Sequence, residues 1–244
     1  MNGTEYACAR LAARYGQRPG AAHWHRIEHA RTQGALLDSA RGTPFERFTG
    51  GLAADADAHV VEALLRRRWR ALVAEVAGWM PEPWRAAVRW CALLPDLPVL
   101  AHAARGGGWR RWMDGDPHYR DLAEGPPPAS SPFAPLAPAW AAPDTLADAW
   151  HREFRVRVPP GAAGPLPEIE RAVGKHLAAF RSTDLADGTA LRRRLGDTLA
   201  ALYRRAGVSP AAAFAFLAIA LLDLERLRGE LLRRAVFPRR VLAA

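Results

Sequence analysis

The 244-residue chain is long enough to bury a hydrophobic core, and its 50% hydrophobic and 24% charged residues are ordinary for a globular protein. The two cysteines, Cys8 and Cys91, have no metal-ligand spacing and are too few for a disulfide framework, and we expect no secretory signal after Met1. The net charge of +9 would normally indicate nucleic acid or an anionic surface as partner, but Lys175 is the only lysine, so we attribute the arginine-rich basicity to a GC-rich genome.

The first half of the chain reads as a series of helices with no convincing strand. Valine and isoleucine are scarce, whereas Ala, Leu, Arg and Glu dominate and favour helix. We predict a first helix capped by Thr4 and stopped near Gly16, because glycine and Pro19 follow it there. Asp55 and Asp57 then place negative charge at the start of a long helix. The predicted helices of this half cover 4–15, 21–31, a short turn around 36–37, and about 58–79.

The long helix ending near Trp79 carries an apolar stripe on one side and arginines on the others. The stripe recurs at three- and four-residue spacing and predicts a core face, formed by Val61, Leu64, Leu65, Trp69, Leu72, Val73 and Val76. The arginines largely fill the other faces: Arg66, Arg67, Arg68 and Arg70. Because no nucleic-acid-binding motif accompanies them, we interpret these arginines as a solvated face.

Prolines divide the rest of the chain. Pro81 or Pro83 starts a helix, Pro95 and Pro98 interrupt it, and a further short helix runs to Arg105. The segment 124–143 is so rich in proline that it cannot be regular helix, and we predict a connector there. Further helices are predicted at 144–154, 167–181, 190–206 and 209–236. The predicted fold is therefore all-α and two-lobed, with an N-terminal helical lobe at 1–123, the Pro-rich connector at 124–143, and a C-terminal helical lobe at 144–244.

The final helix begins almost wholly apolar and ends almost wholly charged. Ser209 and Pro210 form an N-cap and first-position proline. The uninterrupted apolar run from Ala211 to Leu222 is shorter than the about 20 residues that a membrane span needs. Beyond it the charges are dense, but a stripe continues through Leu221, Leu224, Leu227, Leu231 and Val236. The pattern predicts a central core helix and no membrane anchor.

No catalytic or metal-binding constellation is indicated. In HWHRIEH, His25 and His29 have the spacing of a helical zinc pair, but His23 points elsewhere and no third ligand is evident, so we predict no metal site. WMDGDPHY, which holds Asp114, Asp116 and His118, is better explained as a turn. The glycine run RGGGW lacks the lysine and serine of a phosphate-binding loop, and no serine has a nucleophile context. We predict that the protein is not an enzyme and needs no cofactor.

Three separated segments carry a resemblance to a known family. YACARLAARYG opens with Tyr6 and Arg10 in a Tyr-x-x-Ala-Arg pattern, and VRWCALLPDLPVLAHAARGG contains Asp96 and Arg105 at motif positions, although the motif's asparagine is Val99 here. The third segment passes from an apolar run into acidic positions and Leu-Arg repeats, in the sequence AFLAIALLDLERLRGELLRRAVFP. Its matching residues are Asp223, Glu225, Leu227, Arg228 and Leu232. Together these segments resemble the family of the V/A-type ATPase subunit that is called C in prokaryotic enzymes and d in eukaryotic ones. That subunit sits on the membrane rotor ring and holds the end of the central shaft.

The resemblance implies a non-catalytic coupling role. Members of this family are longer and form a funnel of helical lobes that sits on the membrane rotor ring and holds the central shaft of an enzyme that transports protons or sodium. It thus implies protein partners, namely the rotor ring and the shaft, and a cytoplasmic location peripheral to the inner membrane. The alternative is a stand-alone helical adaptor or a nucleic-acid-associated protein that uses an arginine-rich surface.

Overall fold

The computed structural model describes residues 3–109, 111–122, 125–161, 164–181 and 188–237. Within these ranges the chain forms α-helices and short 3-10 helices and has no β-strand, which confirms the all-α prediction. The α-helices of the described ranges, α1 to α12 in chain order, are Thr4–Gly16, Ala21–His29, Gln33–Ala40, Glu46–Thr49, Ala58–Trp79, Glu82–Trp90, Leu97–Ala104, Arg111–Asp114, Leu146–Arg157, Leu166–Arg181, Gly188–Ala206 and Ala211–Val236.

The helix ends show which predicted caps form. Thr4 was predicted as the cap of α1 but lies inside that helix, and Gly3 precedes it without a capping side chain. The carboxylate of Asp57 accepts a hydrogen bond of 2.9 Å from the N–H of Val60, which satisfies one of the free amides at the start of α5. That hydrogen bond lowers the pKa of Asp57. The hydroxyl of Ser209 accepts from the N–H of Ala211 at 3.3 Å, at the start of α12.

The chain divides into two compact units, each assembled from segments distant in sequence. Unit 1 consists of Met1–Arg18, Leu72–Arg89 and Val158–Arg226. Unit 2 consists of Pro19–Ala71, Trp90–Arg157 and Leu227–Ala244. Helices α5 and α12 contribute one part of their length to each unit. The contiguous lobes at 1–123 and 144–244 stay a prediction.

Helix α12 has the two-part character that its sequence predicts. From Ala211 to Ala220 every residue except Ala218 is buried, so this half has no polar face. In the second half the helix is amphipathic. Of its apolar stripe, Leu224, Leu227 and Leu231 are buried, whereas Leu221 is half-buried and Val236 is 55% exposed. In the described part of the chain no helix is long and apolar enough to cross a bilayer.

The proline-rich segment contributes its own apolar side chains to the core of unit 2. Its described residues form 3-10 helices at Ala134–Ala139 and Pro143–Thr145, which agrees with the prediction that it is not regular α-helix. Phe133 and Leu136 are fully buried. The ring of Phe133 lies 5.6 Å from that of Tyr119. Proline therefore limits the local geometry here without keeping the segment out of the core.

Candidate functional site

The most unusual chemical feature of unit 2 is a cluster of charged side chains, which we call the ionic cluster. All of them are largely buried except Arg228, whose side chain is 35% exposed. It contains three acids, Glu62, Asp96 and Asp116, and three guanidinium groups, Arg66, Arg70 and Arg228, joined by ion pairs. Charged side chains are almost never buried unless they are paired. The equal number of acids and arginines makes this burial tolerable.

Helix α5 supplies one side of the ionic cluster. Glu62, Arg66 and Arg70 follow one another at four-residue spacing and therefore share a face of the helix. Arg66 donates a hydrogen bond to Glu62 and a second one, of 3.3 Å, to the carbonyl of Pro95. Both Glu62 and Arg66 are less than a tenth exposed. The i,i+4 pair is thus held in the protein interior, where it is screened less by water and salt than a surface pair.

Two further acids, Asp96 and Asp116, come from segments that follow α5 in the chain and pair with its arginines. Asp96 ends the 3-10 helix Cys91–Asp96, where Pro95 interrupts regular α-helix, and it is only 1% exposed. Its carboxylate lies 3.3 Å from Nε of Arg66 and 3.4 Å from Nη2 of Arg70. Arg70 also donates a 2.6 Å hydrogen bond to Asp116. Arg70 therefore bridges two acids that lie on different connecting segments.

Aromatic rings contact the two arginines of α5 that belong to the ionic cluster. The guanidinium of Arg66 lies 4.2 Å from the ring centre of Trp112, and that of Arg70 lies 5.8 Å from the ring centre of Tyr119. The two rings meet edge to face at 5.0 Å. The hydroxyl of Tyr119 also donates a hydrogen bond to Asp96. The cluster is therefore held by cation–π contacts as well as by ion pairs.

Helix α12 supplies Arg228, which lies at the end of the cluster formed by Glu62. Nε of Arg228 donates to Glu62 at 2.9 Å, and Nη2 of the same guanidinium donates to the same oxygen. Glu62 thus accepts from Arg66 on one oxygen and from Arg228 on the other. The result is a continuous chain of paired charges from Arg228 through Glu62, Arg66 and Asp96 to Arg70 and Asp116.

The pKa values of the acids reflect competition between burial and pairing. Burial alone would raise the pKa of Glu62, but the hydrogen bond and charge of Arg228 and the charge of Arg66 outweigh it, so the pKa is lowered. The pKa of Asp116 is lowered in the same way, against burial, by hydrogen bonds from His118 and Arg70. At Asp96 burial is the larger effect and the pKa is raised, although both arginines oppose it. Burial and the charge of Asp96 raise the pKa of Tyr119.

This arrangement suits a structural role better than a catalytic one. Each carboxylate is engaged by at least one guanidinium, and Tyr119, whose pKa is raised, already donates its proton to Asp96. A general base needs a free lone pair directed at substrate. A metal ion would need the same carboxylate oxygens and would be repelled by the adjacent guanidiniums.

The interpretation of the α5 arginines as a solvated face is wrong for two of them. Arg67 and Arg68 are exposed, but Arg66 is 7% exposed and the side chain of Arg70 is 13% exposed. The physical reason is that these two lie on the same side of α5 as the buried Trp69 and Val73. The sequence did contain an indication of this burial, because Glu62, Arg66 and Arg70 follow at four-residue spacing beside the core stripe. It could not indicate Asp96 and Asp116, their acidic partners from distant segments.

The positions matched by the family resemblance fall in separate places. Asp96 and Arg228 both belong to the ionic cluster. In unit 1, Asp223 forms an ion pair of 2.8 Å with Arg18. In unit 2, Arg105 pairs with Asp144 at an exposed position. The remaining three positions lie in unit 1: Tyr6 is 46% exposed, Arg10 lies 5.2 Å from the ring of Trp79, and Glu225 is half-buried.

The histidine pair lies on the surface of α2. The rings of His25 and His29 are 3.9 Å apart, and both residues are exposed. Nδ1 of His29 lies 2.9 Å from the carbonyl of His25, a contact within one helical turn. No group of three or more His, Cys, Asp or Glu side chains within the described ranges could hold a metal ion. That this pair binds no metal in solution stays a prediction.

Comparisons with known proteins leave the ionic cluster as the main guide to function. No protein-family model, no curated protein and no solved structure matches this chain.

Proposed function

We propose that the chain is a non-catalytic structural subunit that binds other proteins, and specifically a coupling element that links the central shaft of a rotary V/A-type ATPase to its membrane rotor ring. The observation that carries the proposal is the ionic cluster, because Asp96 and Arg228, two positions of the family resemblance, are committed to internal ion pairs there. Paired charges of this kind favour one arrangement of the surrounding helices. A part that transmits torque between two other parts needs such a fixed arrangement.

The proposal also includes a two-lobed, funnel-like body and a peripheral location at the inner membrane. Attachment would depend on contacts with the rotor ring, and the proton or sodium ion would pass through other subunits. None of the helices in the described ranges is long and apolar enough to span a bilayer, which is compatible with this form of attachment.

A second candidate is favoured by the exposed arginines of α11. Arg192, Arg193 and Arg194 are consecutive and exposed, so they point to several sides of the helix. A stand-alone adaptor or a nucleic-acid-associated protein would use such a surface. The two candidates differ in partner and can be separated by one purification.

The test is affinity purification of the tagged chain from its native host at low and at high salt, followed by mass spectrometry and nucleic-acid staining. The proposal predicts recovery with membranes at low salt, together with rotor-ring or shaft subunits in fixed stoichiometry. A tagged basic protein of similar charge is the control for non-specific attachment. If nucleic acid is recovered and no ATPase subunit is, the rotary-ATPase proposal fails and the second candidate replaces it.

A further inference from the structure

Helices α10 and α11 of unit 1 pack against each other and leave an open groove of about 660 Å³ between them. The groove is lined by α10 from Glu168 to Ala179 and by α11 from Leu191 to Arg205. On both helices the lining residues recur at three- and four-residue spacing, so each helix presents one continuous face. A third helix lying along the groove would contact both faces at once, as in a three-helix bundle.

The floor of the groove is apolar. Leu195 is 8% exposed and Leu202 is 6% exposed, and both line it from α11. Ala172 and Ala179 line it from α10 and are half-buried. The small side chains allow another helix backbone to approach closely, and the two leucines keep the floor apolar, although they are themselves already almost covered.

The exposed edges of the groove are basic. Arg171 and Lys175 lie on the α10 edge, one turn apart, and Arg194 lies on the α11 edge. In the described part of the chain none of these three forms an ion pair, whereas Arg205 is paired with Glu168. Unpaired positive charge on both sides of an apolar floor is complementary to an apolar stripe flanked by acids.

Helix α10 is also under-packed for an amphipathic helix. From Glu170 to Phe180 none of its residues is buried. Leu177 is 48% exposed and Phe180 is 37% exposed. These two side chains lie outside the groove lining, so a helix in the groove would instead cover the half-buried α10 residues Ala172, His176 and Ala179.

We infer that the groove between α10 and α11 binds an acidic amphipathic helix of a partner protein. The inference rests on the proposed function in that the occupant is a protein. The lining spans about 17–21 Å, at 1.5 Å per residue, and accepts a helix of three to four turns. Such a helix presents Leu-like side chains at a and d positions and Glu or Asp beside them. Nucleic acid fits less well, because the described lining offers no Phe, Tyr or Trp on which bases could stack.

The probe is a fluorescein-labelled synthetic peptide of two heptads, about four helical turns, with Leu at a and d and Glu at e and g. Its counterpart has Lys in place of every Glu, and a DNA duplex and phosphatidylglycerol vesicles are the other anions. The test variant is Lys175→Glu with Arg194→Glu. The matched control is Arg193→Glu with Arg204→Glu, which changes net charge equally and alters exposed residues of α11 outside the groove.

Binding is measured by fluorescence anisotropy at about physiological ionic strength, where long-range attraction is screened. The inference predicts that the full-length protein binds the Glu peptide and not the Lys peptide, that the groove variant binds at least 10-fold more weakly, and that the control stays within 2-fold of wild type. Equal weakening by both variants, or binding of duplex or vesicles without binding of the peptide, overturns it. If the groove variant still co-purifies with ATPase subunits from the host, the inference fails while the proposed function stands.

Discussion

The ionic cluster and the groove between α10 and α11 both contain arginines, but they use them in opposite ways. In the cluster, Arg66 and Arg70 are almost fully buried and each pairs with two acids. In the groove, Arg171 and Arg194 are exposed and form no ion pair with a described residue. The comparison shows that a net charge does not describe how a basic protein uses its positive residues. The cluster, with three acids and three arginines, adds nothing to the net charge of +9, whereas the exposed basic residues of the groove contribute to it and remain for a partner.

The largest expected effect concerns the buried ion pairs of the ionic cluster. Asp96→Ala should lower the free energy of unfolding by about 3–5 kcal/mol, because it leaves the guanidiniums of Arg66 and Arg70 buried without their shared acid. Urea unfolding followed by circular dichroism measures this change. The matched control is Asp38→Ala, which removes an exposed i,i+3 pair with Arg41 and should cost no more than about 1 kcal/mol. Equal costs would mean that burial does not distinguish the two kinds of pair.

Another buried arginine, outside the ionic cluster, allows a similar test at a site where the partners are mainly backbone carbonyls. Arg234 is 4% exposed and donates to the carbonyls of Ile27, Glu28 and Ala30, at the end of α2. Carbonyls at the end of a helix lie beyond the intrahelical hydrogen-bond ladder, and Arg234 supplies donors to them. Arg234→Ala should therefore lower the free energy of unfolding by about 2–3 kcal/mol, in the range for hydrogen bonds to charged groups. Arg233→Ala, at the exposed neighbour, serves as its control and should change stability little.

Acid should weaken the ionic cluster. Glu62 and Asp116 have lowered pKa values in the folded state, so the unfolded chain binds more protons than the folded one as the pH falls. Their contribution is complete above the unfolded pKa values of about 4 and is lost below them. Asp96, with its raised pKa, acts in the opposite direction. Chemical denaturation between pH 7 and pH 3 should show unfolding becoming easier toward acid, with a smaller slope in Asp116→Asn.

The smallest expected effect concerns the groove. Lys175→Glu with Arg194→Glu should change the free energy of unfolding by no more than about 0.5 kcal/mol, since neither side chain is buried or paired with a described residue. Thermal unfolding of the variant beside wild type measures this. A loss of several kcal/mol would mean that the basic side chains of the groove hold the fold, and the contrast with the ionic cluster would disappear.

Sequence periodicity predicted helices well because their apolar stripes are local. Every member of the predicted α5 stripe, from Val61 to Val76, is buried, and the buried first half of α12 was predicted from its uninterrupted apolar run. The prolines also indicated where regular α-helix stops, as at Pro95. These features depend on neighbours within a few turns, which the sequence displays directly.

The ionic cluster and the groove could not be predicted in the same way. Arg70 meets Asp116 across 46 residues, and Arg228 meets Glu62 across 166, so nothing local indicates either pair. Arg66 and Arg67 look alike in the sequence, yet only Arg66 lies on the side of α5 that faces the core. The groove likewise depends on how α10 and α11 pack. Long-range pairing therefore decides which arginines are structural and which are available.

Amide hydrogen exchange with and without the Glu peptide tests most directly whether the exposed arginines bind while the buried ones hold the fold. A bound helix suppresses local opening beneath it and slows exchange there. The account predicts protection concentrated in 168–179 and 191–205, with no change in 62–70 or in the cluster's part of α12 around Arg228. Protection centred on 62–70, or spread evenly over both units, would contradict it.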